Sequence, residues 1–241
     1  MLVIAGVDSS GGAGLTRDVQ AIRDCGGVAL CAVTAVTAQT DAQLRAVHAV
    51  PPRLVRAQIA AAFDTRRIGA VKIGMLATRA TVTAVLASLA RVRVPLVLDP
   101  VLESSSGGRL IEVAGEALLR RALLLRVTLL TPNIPEAAVL LDATPARTQA
   151  ELLAQARALC RLGPAAVLLK GGHGTGPQAV DLLVTARGAV RWLSAPRVPA
   201  LQRGTGCALA AAIAAGLAAK LGLRAACAQA KRYVSELLQR A

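Results

Sequence analysis

The sequence has almost no aromatic side chains: one Trp, one Tyr and one Phe among 241 residues. Proteins that bind single-stranded nucleic acid stack the bases on aromatic rings. The formal net charge of +14 therefore does not by itself indicate nucleic acid, and the 24 arginines that carry most of it are dispersed along the chain. We interpret the charge as a preference for Arg over Lys that also attracts anionic substrates, and we expect no nucleic-acid partner.

Metal-binding and disulfide patterns are also absent. The five cysteines form no C-x-x-C pair, and neither of the two histidines clusters with them, so neither a zinc site nor a disulfide framework is indicated. The longest apolar stretch, residues 207–219, is well short of the ~20 residues that span a bilayer and predicts a buried helix. No secretory signal is visible at the N-terminus. The sequence predicts a cytosolic protein with no membrane partner.

Short β-branched runs alternate with segments of helical period. Strands are predicted at residues 2–6, 28–36, 70–74, 95–99, 127–131 and 166–170, followed by a hairpin of residues 179–185 and 189–195. Helices are predicted near residues 14–24, 52–63, 79–91, 112–124, 135–141, 148–161, 206–219 and 224–239. This alternation predicts one α/β domain over residues 1–241, with a mostly parallel sheet covered by helices on both faces.

A glycine-rich turn precedes the Ala-rich helix. Gly204, Thr205 and Gly206 can direct backbone amides toward an anion at the helix N-terminus and so stabilise a transferring phosphoryl group. The alternative is a tight strand-to-helix turn without function. Cys207 would lie in the first helical turn, where the helix dipole lowers the pKa of a thiol. The thiolate could then accept a proton from a substrate hydroxyl.

Acidic and cationic residues follow three predicted strands. Asn133 and Glu136 have the spacing of a capping box, but a carboxylate beside phosphates would instead hold Mg²⁺. Asp99, at the end of a hydrophobic strand, could complete that acidic site. Lys170 also ends a strand and could neutralise nucleotide phosphates, although a solvated strand terminus is the alternative.

Two polar residues in the first half of the chain are candidates for contact with a flat ring. The glycine-rich residues 6–14 lack the Gly-Lys-Ser/Thr ending of a P-loop, so a P-loop is not predicted. Asp18, in the following helix, could point toward a ligand or be a surface aspartate favoured by the helix dipole. Gln39 offers a donor and an acceptor together, which suits the edge of an aminopyrimidine.

Taken in order, the motifs resemble those of one enzyme family. The segments are GVDSSGGAGLTRD, TAVTAQT, VPP, AVKIGML, VLDPV, TPNIPEA, VLLKGGH, SAPRV and RGTGC. Over nearly the whole chain this series resembles the hydroxymethylpyrimidine/phosphomethylpyrimidine kinases of the ribokinase-like superfamily. The resemblance implies a three-layer ribokinase-like α/β fold, usually dimeric, that uses ATP and Mg²⁺. It also implies phosphorylation of 4-amino-5-hydroxymethyl-2-methylpyrimidine, and then of its monophosphate, in thiamine biosynthesis.

The resemblance also implies roles for particular residues. The pyrimidine would be bound by Gln39 and Asp18, in a pocket lined by Gly6, Met75 and Val101. Mg²⁺ would be held by Asp99 and Glu136, the nucleotide phosphates by Lys170 with Asn133, and the transferring group by the anion hole at 204–206. Cys207 would replace the aspartate base of the sugar kinases.

The loop before Gly204 departs from the family pattern. Where the family commonly has an Asn-Thr-His run, this chain has Leu201, Gln202 and Arg203. A guanidinium presents several donors in a planar fork that suits phosphate oxygens. We therefore expect Arg203 to replace the missing groups on the phosphate side, with a solvated loop arginine as the alternative.

Three other functions remain open from the sequence. A pyridoxal kinase of the same subgroup also acts on a flat ring with a hydroxymethyl group, although Gln39 and Met75 favour the aminopyrimidine. A cysteine hydrolase would need a positioned histidine, and neither His48 nor His173 has a convincing partner pattern. A non-catalytic pyrimidine-binding relative is compatible with the altered loop before Gly204.

Overall fold

The centre of the molecule is a β-sheet with the strand order β3-β2-β1-β4-β5-β6-β7-β8-β9. The computed structural model describes residues 1–40, 42–104, 107–171, 176–198 and 203–240. The strands are β1 (Leu2–Asp8), β2 (Leu30–Gln39), β3 (Leu44–Ala49), β4 (Val71–Ile73), β5 (Leu96–Leu98), β6 (Leu129–Leu130), β7 (Ala166–Leu169), β8 (Gln178–Thr185) and β9 (Val190–Pro196).

The six strands from β2 to β7 in the sheet order are parallel, so their carboxyl ends meet at one edge, where ligands of open α/β sheets bind. Strands β3, β8 and β9 pair antiparallel, which confirms the predicted hairpin of β8 and β9. Strand β3 was not predicted. Strand β3 lies at the edge of the sheet, and its sequence LRAVHA is exposed along most of its length. It therefore lacks the clear apolar alternation that predicts a strand.

The helices agree closely with their predicted positions. They are α1 (Gly14–Asp24), α2 (Pro52–Thr65), α3 (Arg79–Ser88), α4 (Val113–Leu118), α5 (Ile134–Leu141), α6 (Gln149–Arg161), α7 (Thr205–Ala218) and α8 (Leu223–Gln239). The helix predicted over residues 112–124 ends earlier, at Leu118, and continues as a π-helical turn (Leu119–Leu123) and a 3-10 turn (Leu124–Arg126). Over the ranges described, no helix is long and apolar enough to cross a membrane.

The helices form a layer on each face of the sheet. Helices α2 to α6 pack against one face around the largest apolar cluster, and α1, α7 and α8 cover the other face. Helix α7 is buried on all sides from Ala208 to Leu217, because its many alanines let the sheet and both neighbouring helices approach closely. This packing fixes the N-terminus of α7 against the carboxyl ends of the strands.

Candidate functional site

The N-terminus of α7 approaches the loop that follows β1. Gly204, the residue before the helix, has a left-handed backbone with φ of 75° and makes no side-chain cap. A Cβ at this position would lie 2.3 Å from the carbonyl oxygen of Gly12, so only glycine fits there. The first amides of a helix have no intrahelical acceptor. This geometry is compatible with the anion site predicted at 204–206, which stays a prediction.

Lys170 joins this helix terminus to two carboxylates. Its Nζ lies 2.8 Å from Oδ1 of Asp99 and 3.9 Å from Oε2 of Glu136. A Cβ on Gly206 would lie 3.1 Å from the same Nζ. Burial lowers the pKa of Lys170, but Asp99 and Glu136 raise it by more, so its pKa is above the usual range. The lysine thus stays charged beside the helix terminus, and it is not a solvated strand end.

Asn133 and Glu136 form a complete capping box. The amide of Glu136 donates to Oδ1 of Asn133 over 2.7 Å, and the amide of Asn133 donates to Oε2 of Glu136 over 2.8 Å. The capping interpretation is confirmed. It does not compete with a functional role, because the cap also fixes the carboxylate next to Lys170. Burial raises the pKa of Glu136.

The carboxylates of Asp99 and Glu136 fit a water-rich magnesium site. Mg²⁺ in phosphoryl-transfer enzymes is held by one or two carboxylates, with phosphate oxygens and water as the other ligands. Over the described ranges, no group of three or more His, Cys, Asp or Glu side chains could hold a metal by itself. The chemistry of the donor set therefore fits Mg²⁺ that arrives with a nucleotide, and the metal assignment stays a prediction.

The residues predicted to line a ring pocket are brought together. A Cβ on Gly6 would lie 2.9 Å from Sδ of Met75, so the Met75 side chain packs closely against the backbone of β1. Val101 packs in the same small apolar cluster as Met75 and Ala35. Its φ of 33° is strained for a β-branched residue, and such strain is concentrated at functional sites.

Gln39 ends β2 on the same side of the sheet. Its Nε2 donates to Oγ1 of Thr37 over 2.9 Å. Its Oε1 accepts from Arg203 over 3.0 Å. Arg203 therefore reaches the end of β2, at the residue that is predicted to bind the ring. The neighbouring Leu201 and Gln202 lie outside the described residues.

Asp18 is fully buried, with its Oδ2 2.7 Å from Nζ of an equally buried Lys72. The interpretation of Asp18 as a surface aspartate is wrong. Its other oxygen, Oδ1, is buried and has no hydrogen-bond partner in the described part of the chain. Burial raises the pKa of Asp18 to about 6 against the opposing effect of Lys72. The predicted contact of Asp18 with the ring stays a prediction.

Lys72 was not predicted as a residue of the site. It lies in β4 within the apolar run AVKIG, where a parallel strand is buried on both faces. Lysine is almost never fully buried unless it is paired, so a lysine in such a strand indicates a buried partner. That signal was present in the sequence, but the identity of the partner depends on the packing of α1.

The chain is similar to proteins of one known family. The family model described as phosphomethylpyrimidine kinase matches residues 8–241. A hydroxymethylpyrimidine/phosphomethylpyrimidine kinase of Salmonella typhimurium is 45% identical over 216 residues, which cover 89% of this chain and 81% of that protein. The chain belongs to the phosphomethylpyrimidine kinase family.

Solved structures show the same architecture. The phosphomethylpyrimidine kinase of Clostridium difficile 630 has a TM-score of 0.85 and 32% identity, over 98% of each chain. An ADP complex of Bacillus subtilis pyridoxal kinase has a TM-score of 0.87 and 27% identity, over 97% of this chain and 89% of that chain. The predicted three-layer ribokinase-like fold is confirmed.

In this kinase, the expected lowering of the Cys207 pKa is wrong. Removal of the thiol from water raises its pKa to about 12, although Lys72 acts in the opposite direction. Desolvation of the half-buried Cys207 thus outweighs the helix dipole. Of the two candidate bases of a cysteine hydrolase, His48 is an exposed residue of the edge strand β3, and His173 lies outside the described residues.

We expect Cys207 to react slowly with iodoacetamide at pH 8. A raised pKa leaves the thiol protonated, and the protonated form is a poor nucleophile. The rate of alkylation should keep rising above pH 10. Mass spectrometry of the Cys207 peptide after timed exposure between pH 6 and 11 measures this profile, with free glutathione as the reference thiol. A plateau below pH 8 would show instead that the thiol is ionised in the working range.

Proposed function

We propose that this kinase transfers the γ-phosphoryl group of ATP to the hydroxymethyl group of 4-amino-5-hydroxymethyl-2-methylpyrimidine, and then to the resulting monophosphate, in thiamine biosynthesis. One observation carries the proposal. The uncapped N-terminus of α7 lies beside Lys170, which pairs with Asp99 and approaches Glu136, and Gly204 lies against the loop of Gly12 and Ala13 that follows β1. A phosphoryl group held at α7 would therefore lie next to the proposed site of the nucleotide phosphates.

The nucleotide side supplies positive charge where negative charge develops. Phosphoryl transfer depends mainly on positioning and on electrostatic stabilisation of the transferring group. The amides at 204–206 would bind its equatorial oxygens, and Lys170 would neutralise the nucleotide phosphates, supported by the Asn133 cap. Magnesium held by Asp99 and Glu136 would supply further charge neutralisation when bound. The ADP complex of the Bacillus subtilis neighbour supports nucleotide binding by this fold.

Cys207 would face the attacking hydroxyl. A thiol that is protonated at neutral pH cannot remove a proton at the start of the reaction. In a loose transition state the hydroxyl keeps its proton until the phosphoryl group has largely moved. The thiol of Cys207 would therefore only orient the hydroxyl, and the proton would leave late, when the oxygen has become acidic, to an oxygen of the transferred phosphoryl group.

The ring side would select the substrate. Gln39 would pair with a ring nitrogen and the exocyclic amine, while Met75 and Val101 would pack against the ring faces. A pyridoxal kinase is the second candidate, because the Bacillus subtilis neighbour is a pyridoxal kinase. Gln39 favours the aminopyrimidine, since its amide matches an acceptor and a donor that stand next to each other.

ADP release with the hydroxymethylpyrimidine, its monophosphate and pyridoxal tests the proposal. We expect the highest kcat/KM with the hydroxymethylpyrimidine, and we expect turnover to be lost when Mg²⁺ is chelated. A preference for pyridoxal would establish the second candidate. No ADP release with any of the three alcohols, from protein that is folded by circular dichroism, would contradict kinase activity and favour a binding protein.

We also propose a cytoplasmic homodimer. Five cysteines without a disulfide are typical of a reducing compartment. The family resemblance suggests the dimer, and the edge strand β3 supports it with an open backbone and the exposed side chains of Val36 and Val47 nearby. Sedimentation velocity at micromolar concentration should show a species of twice the chain mass, and a monomer would contradict the proposal.

A further inference from the structure

The loop residue Arg203 contacts the amide that is proposed to recognise the pyrimidine. We propose that Arg203 locks this amide of Gln39 in one orientation, and so determines which pattern of ring donors and acceptors the kinase accepts. The inference rests on the proposed function, because it concerns the same ring pocket. It assigns to Arg203 a positioning role on the substrate side, in place of the predicted role at the nucleotide phosphates.

Arg203 is held in one place by several partners. One terminal nitrogen donates to Oγ of Ser10 over 3.1 Å and to the carbonyl of Thr40 over 2.9 Å. The other donates to Oε1 of Gln39 over 3.0 Å and lies 3.4 Å from Oδ2 of Asp8. The arginine side chain is only 15% exposed. These contacts direct the guanidinium toward the end of β2 and the loop that follows β1.

The contact with Asp8 makes the position of Arg203 electrostatically specific. The Asp8 side chain is 2% exposed, and its Oδ1 accepts from both the amide and the hydroxyl of Ser10. Its Oδ2 has no hydrogen-bond partner in the part of the chain that the structure describes. A buried carboxylate oxygen needs compensation, and the Arg203 guanidinium is the charge that faces it.

The amide of Gln39 is held at both ends. Its Nε2 donates to Oγ1 of the buried Thr37, and the hydroxyl of Thr37 in turn donates to the carbonyl of Val7 over 3.2 Å. A flipped amide would set its NH₂ group against the guanidinium of Arg203, where both groups are donors. Arg203 provides only donors. A flip would therefore lose the hydrogen bond between Arg203 and Gln39 and would place two donors opposite each other.

The locked amide of Gln39 leaves one donor and one acceptor free to bind a ring. Gln39 keeps one Nε2 hydrogen and one Oε1 lone pair. The hydrogen matches a ring nitrogen that accepts, and the lone pair matches an exocyclic amine that donates. A 4-oxo ring presents the reverse pattern, with a ring N–H and a carbonyl oxygen. Arg203 therefore selects the 4-amino pyrimidine over its 4-oxo counterpart.

The backbone supports this arrangement. The pairing of β2 with β3 shifts register between Ala38 and Gln39, and such bulges re-aim a side chain. Ser9 fixes the end of the strand, because its hydroxyl accepts from the amide of Gln39 and donates to the carbonyl of the same residue. Since Arg203 directly precedes Gly204, ring recognition is joined covalently to the start of the anion site.

The test is the ratio of kcat/KM for the 4-amino substrate to that for its 4-oxo analogue. In Arg203→Met the amide can flip, and we expect this ratio to fall by about tenfold or more, while the KM for ATP changes by less than about twofold. Arg187→Met, in the exposed turn between β8 and β9, is the control and should leave the ratio unchanged. A merely structural role of Arg203 would lower both values of kcat/KM together.

A double-mutant cycle completes the test. Gln39→Leu and Arg203→Met should not be additive in their effects on the ratio, because both act through one amide. Additive effects of the two substitutions, or an unchanged ratio in Arg203→Met, would overturn the inference. A rise confined to the KM for ATP would also overturn it and would indicate that Arg203 binds the nucleotide phosphates. Absence of turnover in the wild-type protein would instead contradict the proposed function. In that case, calorimetric titration without ATP would compare the dissociation constants of the two pyrimidines. Their ratio in wild-type protein and in Arg203→Met would still show whether Arg203 locks the Gln39 amide.

Discussion

Replacing Lys170 with Met is expected to lower kcat/KM for phosphoryl transfer by about 100- to 1,000-fold, the range found when one donor to a developing charge is removed. Lys170 is the cation that meets both the N-terminus of α7 and the carboxylates of Asp99 and Glu136. Its loss removes the charge that would neutralise the nucleotide, and it leaves two carboxylates facing incoming phosphates. Steady-state ADP release at saturating Mg²⁺ measures the effect.

The matched control for this substitution is Lys220→Met. Lys220 is exposed and lies beyond the end of α7, so kcat/KM should stay within about twofold of the wild-type value. Thermal melting of both variants by circular dichroism separates a catalytic loss from unfolding. A folded Lys170→Met protein that loses less than about tenfold in kcat/KM would remove Lys170 from the nucleotide site.

Replacing Lys72 with Met is expected to lower the free energy of unfolding by about 3–5 kcal/mol, the cost of removing one partner of a buried ion pair. Both side chains of the pair with Asp18 are fully buried, so the remaining carboxylate would be a buried charge without compensation. Urea denaturation at pH 8, followed by circular dichroism, measures the loss. A change of less than about 1 kcal/mol would show that the pair contributes little.

The destabilisation of Lys72→Met should also depend on pH. Burial raises the pKa of Asp18 from its usual range to about 6. A carboxyl group whose pKa is higher in the folded state than in the unfolded state stabilises the folded state most when the pH is below the unfolded-state pKa. This stabilisation is lost as the pH rises through the folded-state pKa. Without Lys72 the pKa is raised further. The variant should therefore be less destabilised at pH 5 than at pH 8.

A double variant, Lys72→Met with Asp18→Leu, serves as the control for this interpretation. Replacing both members of a buried pair by apolar residues of similar volume is often neutral or stabilising. The double variant should recover most of the stability that the single variant loses, and its stability should no longer fall between pH 5 and 8. A double variant as unstable as the single one would attribute the loss to packing and not to charge.

Most of the fold was predictable because its signals are local. The β-branched runs and the helical periodicity located eight of the nine strands and all eight α-helices that the structure describes. Strand β3 was missed because LRAVHA is exposed and has no apolar alternation, so only its pairing with β2 defines it. The early end of α4 at Leu118 was also missed, since the following turns remain helical in pattern.

The candidate site was predictable in its position but not in its interactions. Motifs after parallel strands must gather at one edge of the sheet, and this placed Asp99, Glu136 and Lys170 together. The raised pKa of Cys207 could not be predicted, because the helix dipole is a local effect whereas desolvation depends on tertiary packing. The partners of Arg203 include Ser10, which is 193 positions away, and no local pattern indicates a contact at that separation.

The position of α7 has a consequence for protein synthesis. Its first turn would complete the predicted anion site, yet the strands that surround it come from earlier parts of the chain, and Gly204 lies against the loop of Gly12 and Ala13. A nascent chain that has released β1 to β7 can pair those strands, but the sheet face later covered by α7 and α8 is still open to solvent. The growing polypeptide therefore exposes apolar surface to which chaperones can bind. The predicted anion site cannot form until residues 205–218 have left the ribosome.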